Sequence, residues 1–439
     1  MAHSRKTTGL ALGLAGVLAL TLAGCSGGSG GGGGGGEDET TTISFLNWEQ
    51  TDGTPLGKAI AKFEEENPNI KVDIQPTVTG DAYDAKMRTA LAGSNPPDVF
   101  RINDDYVQQF TANGTLQDLS GYVKKAGIDV DADYAPEVFN FGLQDDGSLT
   151  SWQIGYQPAM VFYNKDLLEK AGVPLPPKDW TDENWTWDDF LAAASKVSDG
   201  SKTYGALVTP DTNYEQTFSH NNGSPTGIWS KDGTGFTLAD PEGAEAIQWA
   251  ADLTCKEGVQ ARWADLLQPN ANVQLFTQGK VGLLFARAGA IPYFRDNITS
   301  FDWDVAAPPA GSADQATEAS VVVFGVPKKS DKQDAAFKLL EYLASEEGGQ
   351  IVAEGGAFTP VNIAAAEALY ANSKDAPENI SILADSAKHL TATSKTANTL
   401  GARQIYRPAL DDVYNCKASA EDVLNKVRPQ VEKALEKKN

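Results

Sequence analysis

Residues Thr41 to Phe100 read TTISFLNWEQTDGTPLGKAIAKFEEENPNIKVDIQPTVTGDAYDAKMRTALAGSNPPDVF, a stretch in which two hydrophobic periods alternate. Thr41 to Phe45 has strand character and ends near Asn47-Trp48-Glu49, while Pro55 to Glu66 places Leu56, Ile60 and Phe63 on one helical face. Ile70 to Ile74 alternates as a second strand, Tyr83 to Ala92 reads as a second helix, and Pro97-Asp98-Val99-Phe100 begins a third strand. Strands separated by helices of this length imply α/β packing around a largely parallel sheet.

Outward from that stretch the helices carry their own start signals. Asp240 before Pro241 is an N-cap and N1 pair, and the spacing of Ala244, Ile247 and Ala251 extends a helix toward Gly258. Ser330 with Gln333 is expected to form a capping box ahead of Ala336, Leu339, Leu340 and Leu343. Ser419 opens a last helix with Val423, Leu424 and Val427 inward, which Pro429 should kink or interrupt. Val281 to Phe285 and Val321 to Val326 have the composition of buried strands.

The first forty residues follow a different logic. Arg5 and Lys6 precede an apolar run from Leu10 to Leu22, too short for a comfortable permanent span, and Ala23-Gly24-Cys25 resembles a bacterial lipobox. Residues 1–24 are therefore expected to be a lipoprotein signal peptide, with Cys25 acylated (diacylglyceryl, palmitate) and anchored at the extracellular face of the cell membrane. Residues 25–40 would form a tether whose glycine tract, Gly27 to Gly36, spans about 15 to 20 Å as a random coil. What remains exceeds the roughly 250 to 300 residues at which one core stops growing, so two domains are expected.

Composition excludes several functions. The formal charge is −23, which repels nucleic acid and anionic lipid, while 41% hydrophobic content and nine tryptophans argue for a folded body. Besides Cys25 the chain has only Cys255 and Cys416, and in an exported protein a disulfide between them is the simplest reading, two separate buried thiols being the alternative. His220 and His389 lack partners at metal-site spacing, so no metal and no cofactor is expected. Neither a complete GxSxG elbow nor a phosphate-binding P-loop is present. Adjacent carboxylates such as Asp104-Asp105 and Asp145-Asp146 are more simply solvated surface than a catalytic couple, although distant carboxylates meeting across a cleft would suit a hydrolase. Trp48, Tyr106, Trp152, Tyr156, Tyr214 and Trp229 sit beside planar polar residues near loops and strand ends, a mixture that stacks on sugar rings and hydrogen-bonds their hydroxyls. Core packing is the competing reading for each.

Val161-Phe162-Tyr163-Asn164-Lys165-Asp166-Leu167-Leu168-Glu169-Lys170-Ala171-Gly172, the prolines at 174, 176 and 177, and Trp187-Asp188-Asp189-Phe190 resemble a stretch of the extracellular solute-binding proteins of bacterial ABC importers, the sugar-binding, maltose-binding-protein-like family. Three further segments agree in order: Lys62-Phe63-Glu64 with Pro68-Asn69-Ile70-Lys71-Val72, Phe276 to Gly282, and Phe358-Thr359-Pro360. The resemblance implies a two-lobed periplasmic-binding-protein-like fold (type II) with hinge crossovers. Its first lobe would comprise residues 41–153 plus 305–355, and its second 154–304 plus 356–439. It further implies a monomer that binds carbohydrate reversibly and delivers it to a membrane permease, without being an enzyme. The alternatives are a secreted carbohydrate hydrolase and an importer receptor for another polar solute such as a peptide.

Family loop positions place Trp48, Glu49, Asn103, Asp104 and Asp105 in the first-lobe wall of the cleft, with Trp152 and Gln153 near the crossover. Asn213, Tyr214, Phe285, Arg287, Arg403 and Tyr406 would form the second-lobe wall. Where sugar-binding members often carry Gly-Pro-Trp after the strand that follows Phe276, this chain has Ala286-Arg287-Ala288-Gly289. One stacking platform is lost, and Arg287, Arg101 and Arg403 become candidates for recognising hydroxyl pairs, a uronate or another acidic group, or for pairing with the protein's own carboxylates.

Overall fold

The chain is described by a computed structural model covering residues 40–436 except 80, 182, 201, 209–213, 269 and 372. The signal, Cys25, the glycine tract and Asn213 lie outside the described residues. Nine strands are described: β1 (Thr41–Leu46), β2 (Ile70–Ile74), β3 (Val99–Ile102), β4 (Trp152–Asn164), β5 (Tyr204–Val208), β6 (Val281–Arg287), β7 (Trp303–Ala306), β8 (Ala319–Gly325) and β9 (Thr359–Pro360).

Their order is β2-β1-β3-β8-β4-β6-β5, with β7 and β9 also on β4. Only β1–β2, β1–β3 and β5–β6 are parallel; β3–β8, β4–β8, β4–β6, β4–β7 and β4–β9 are antiparallel. The expectation of a largely parallel sheet is corrected to a mixed one, because β8 runs against both β3 and β4 in the first half, and β4, the strand that pairs in both halves, runs against β6 and β7 in the second. The thirteen residues of β4 are shared: Trp152 to Pro158 pair with β8, and Ala159 to Asn164 pair with β6 and β7. Gly155 in this strand admits no side chain, since a Cβ there would lie 2.3 Å from the Phe358 ring and 2.6 Å from the Thr359 carbonyl.

Local chemistry accounts for the elements flanking the sheet. Helix Pro55–Glu66 starts at Thr54, whose hydroxyl accepts from Gly57 N at 3.3 Å, and buries Ala59, Ile60 and Phe63. Asn164 caps the short helix Lys165–Lys170, which ends before Gly172 at φ +63°, a left-handed position that favours glycine. Helix Trp187–Val197 carries a reciprocal capping box between Thr186 and Asp189.

Three local expectations are corrected. Helix Gln333–Leu343 has no capping box: the Ser330 hydroxyl instead donates to the buried Asp98 carboxylate at 2.6 Å. Asp240 occupies the N-cap of helix Pro241–Cys255 but its carboxylate pairs with Arg428 rather than with its own helix. Pro429 does not interrupt the final helix, which runs from Ala420 to Leu435; Ser419 caps it as expected.

The apolar interior divides along the sheet. One cluster surrounds β1, β3, β8 and the first half of β4, including Phe45, Phe100, Trp152, Phe324 and Phe337. Two others cover opposite faces of the β4–β6–β5 half, and a fourth fills the space among helices Pro241–Cys255, Thr399–Tyr414 and Ala420–Leu435. The structure joins Cys255 to Cys416, with Cα atoms 5.5 Å apart, tying the end of the first of those helices to the turn between the other two.

Candidate functional site

Charged side chains from both halves of the sheet converge around a cleft. On one side, β1 ends before Trp48, which remains partly exposed while its indole is fixed from several directions. Its Nε1 donates to Glu49 Oε1 at 3.2 Å, the Arg101 guanidinium lies 4.5 Å from its ring centre, and Tyr83 meets it edge-on. Arg101 projects from β3 and is buried, which pulls its guanidinium down to about 10 despite the nearby charges of Glu49 and Asp104. Asn103 caps helix Asp104–Ala112 by accepting from Asp105 N, so both aspartates stand in a first turn where backbone N–H groups favour anions.

The opposite wall comes from the second half of the chain. Arg403 forms an ion pair with Asp105, and one turn later Arg407 pairs with Glu215 at 3.2 Å. Burial raises the Asp105 carboxyl above the usual range, with Arg403 opposing the rise. Burial also disfavours the Arg407 charge, but Glu215 outweighs it and the net shift is upward. Arg287, ending β6, lies 5.3 Å from the Tyr214 ring and 2.6 Å from Glu318. Asp104 accepts from Ser320 Oγ at 3.2 Å. Carboxylates Glu49, Asp104, Asp105, Glu215 and Glu318 thus face guanidiniums Arg101, Arg287, Arg403 and Arg407.

The cleft itself is lined by Asp104, Asp105, Gln108, Glu137, Asn140 and Phe141, by Ala319 and Val321 of β8, and by Arg403 with the polar strap from Leu390 to Thr396. Lys395 on that strap donates to the Leu143 carbonyl, bridging the two walls at one end.

The residues singled out in the sequence therefore divide. Asp104, Asp105 and Arg403 line the cleft, and Trp48, Glu49, Asn103 and Arg287 border its charged cluster. Trp152 is fully buried, its indole edge-on to Phe139 and Phe337, and Gln153 beside it is equally enclosed. Phe285 and Tyr214 pack edge-on in the core, with Tyr214 beneath Arg287. Arg403 and Tyr406 belong to helix Thr399–Tyr414 rather than to a loop, and Tyr406 is buried against Trp229 and Phe236. Asp145 and Asp146 are exposed, as a solvated pair would be. Glu215, Arg407, Glu318 and the 390–396 strap were not singled out; the run Thr391-Ala392-Thr393-Ser394-Lys395-Thr396 offers a hydroxyl-rich signal, whereas Glu318 has no local signature. Among the described residues no group of three or more His, Cys, Asp or Glu side chains is placed to hold a metal, and no helix is long and apolar enough to cross a membrane.

A mixed sheet divided between two helical packings, with a cleft of mixed charged and apolar lining between walls from both halves, defines a two-lobed binding protein. The chain matches the bacterial extracellular solute-binding protein family over residues 47–350 and belongs to it. It is 26% identical over 341 residues to a putative binding protein of Brucella abortus, covering 74% of this chain and 76% of the relative. It is 24% identical to the sn-glycerol-3-phosphate-binding periplasmic protein of Shigella dysenteriae, over 74% of this chain and 75% of that one. Among solved structures, an ABC substrate-binding protein of Listeria monocytogenes in complex with cycloalternan superposes with a TM-score of 0.78 at 26% identity, covering 90% of this chain and 99% of that chain. The sugar-binding protein MalE of Xanthomonas citri shares the fold with a TM-score of 0.76 at 20% identity, over 90% and 97% of the two chains.

Proposed function

We propose that this protein, anchored through Cys25 at the extracellular face of the membrane, captures a neutral mono- or oligosaccharide between its lobes and hands it unchanged to the permease of an ABC importer. The observation that carries the choice of ligand is the state of the arginines. Arg287, Arg403 and Arg407 already contact carboxylates, and Arg101 lies in the field of Glu49 and Asp104. A uronate or phosphate would meet five carboxylates against four guanidiniums, whereas hydroxyl groups can donate to the former and accept from the latter without adding charge. The sugars bound by related structures support the same reading.

The lobes are taken as residues 41–153 plus 305–355 and 154–304 plus 356–439, so that the chain crosses between them within β4, within β7 and after helix Glu346–Val352. The Asp105–Arg403 ion pair already joins the two walls, and closure of the lobes around ligand requires only that the saccharide bind the closed state more tightly. Trp48, Glu49, Asn103, Asp104, Asp105, Arg287 and Arg403 are the proposed contacts.

Thermal-shift screening followed by calorimetry tests this reading with maltose, cycloalternan, D-tagatose, D-galacturonate, sn-glycerol 3-phosphate and a tripeptide. A neutral saccharide at a hundred times its Kd should stabilise the protein by about 2.7 kcal/mol and be recovered intact. Preference for the uronate or phosphate would refute the neutral-ligand assignment, and turnover of the best sugar would establish the hydrolase instead.

A further inference from the structure

Between β7 and β8 lies a carboxylate whose burial the fold does not explain. Glu318 is 1% exposed. Its N–H donates to Thr217 Oγ1 at 2.9 Å, its carbonyl accepts from Ala159 N at 3.0 Å, and the preceding Thr317 exchanges backbone hydrogen bonds with His389 and Thr391. The main chain is therefore fixed. Oε1 lies 2.6 Å from Arg287 Nη2, while Oε2 receives no hydrogen bond from a described protein donor.

A buried carboxylate with a structural role looks different in this same protein. Asp98 accepts from Ser44 N, Ser44 Oγ and Ser330 Oγ, using both of its oxygens. A carboxylate offers about four acceptor sites, and buried polar groups in native proteins nearly always fill at least one per atom. Position supplies the second observation. Ala319, the next residue, lines the cleft, and the cleft residues Asp104 and Arg403 are the charged neighbours of Glu318 after Arg287.

We propose that Glu318 is a ligand-contacting, specificity-determining residue that accepts hydroxyl hydrogen bonds from the bound saccharide while Arg287 donates to an adjacent oxygen, so that the pair reads a vicinal diol. This rests on the carbohydrate reading above and deepens it. The charged and titratable groups acting on Glu318 are Arg287 from β6, Asp104 from helix Asp104–Ala112 and Arg403 from helix Thr399–Tyr414, while the His389 ring on the neighbouring strap stacks on Trp180. Burial raises the Glu318 carboxyl to about 7, with Arg287 and Arg403 opposing the rise and Asp104 adding to it. Hydroxyl donors stabilise the ionised form, so saccharide binding near pH 6.5 drives its proton into the buffer, and affinity weakens as pH falls below about 7.

The test is calorimetric titration of the whole mature protein with maltose, cycloalternan and D-tagatose at pH 6.5, in two buffers of different ionisation enthalpy, for wild type and Glu318→Gln. The expected result is net proton release of about 0.5 or more per saccharide bound by the wild type, none by the variant, and an affinity loss of about 10- to 100-fold in the variant at pH 8. Saccharide binding without proton release by the wild type overturns the role of Glu318 while saccharide capture stands. Failure of all three sugars to bind overturns both. The wild-type proton count decides the matter even if the substitution unfolds the chain.

Discussion

Replacing Glu318 by Gln is expected to stabilise the sugar-free protein in mild alkali and to change it little in acid. The carboxyl is raised by burial from 4.5 to about 7, so its ionised form is disfavoured in the folded state. Between these values the unfolded chain binds fewer protons than the folded one, and stability falls as pH rises through the window; above about pH 7 the penalty is complete. Its size is about 3 kcal/mol at pH 8 and roughly 1 kcal/mol or less at pH 5. The opposing effect is loss of a partner for Arg287, since breaking a buried pair costs about 3–5 kcal/mol when the remaining charge is uncompensated. Arg287 is not left in that condition: its side chain is 14% exposed, it stands over Tyr214, and it donates to the Gln157 carbonyl at 3.4 Å. Desolvation of Glu318 therefore wins. With an unfolding entropy of about 0.8 kcal/mol/K for a folded body of this size, the variant should melt about 4 °C above wild type at pH 8 and about 1 °C above it at pH 5. A melting temperature below wild type at pH 8 would show that the ion pair is structural and refute the reasoning.

Replacing Cys255 and Cys416 together by Ser opens a loop of sequence separation 161, for a cost of about 5 kcal/mol on the chain-entropy estimate and about 6 °C in melting temperature; non-reducing peptide mapping should show the linked pair, and two free thiols would contradict the structure. Trp48→Ala should weaken binding of a saccharide hit by tenfold or more while shifting the melt little, whereas the fully buried Trp152→Ala should cost about 3–5 kcal/mol of stability. Calorimetry and urea melts on the two variants would exclude this division of roles if the effects were exchanged. Deleting residues 1–36 should leave a body with an unchanged melt, and a drop of several degrees would place the glycine tract in the fold.

Helices and strands were legible where one face is buried and the other wet, as in Pro55–Glu66 and Ile70–Ile74, because the hydrophobic period alone then fixes the element. Strand direction was not, since β4 and most of β8 are buried on both faces and nothing within them records which neighbour they will meet. The same limit governs the cleft. Asp104, Asp105 and Arg403 followed from the loop positions of the family the chain resembles, but Trp152 and Trp48 both stand at strand boundaries amid polar neighbours and differ only in what the rest of the chain packs over them. Ser330 and Gln333 had the spacing of a capping box, and a carboxylate more than 200 residues away in sequence claimed the hydroxyl. Glu318, alone between Thr317 and Ala319, acquires significance only through Arg287 and the fixed strap.

The pairing of β8 has a consequence for how this protein comes into being. β3 is finished at Ile102, but its neighbour on the open side contributes Val323, so the first sheet cannot close until the chain has been synthesised past β8. Contacts spanning so much sequence are slow to form, because a long loop must close before they return any free energy. A ribosome would thus release most of this polypeptide with its N-terminal strands still unpaired on one edge, a condition that leaves them exposed to aggregation yet free to thread through a membrane pore before folding outside.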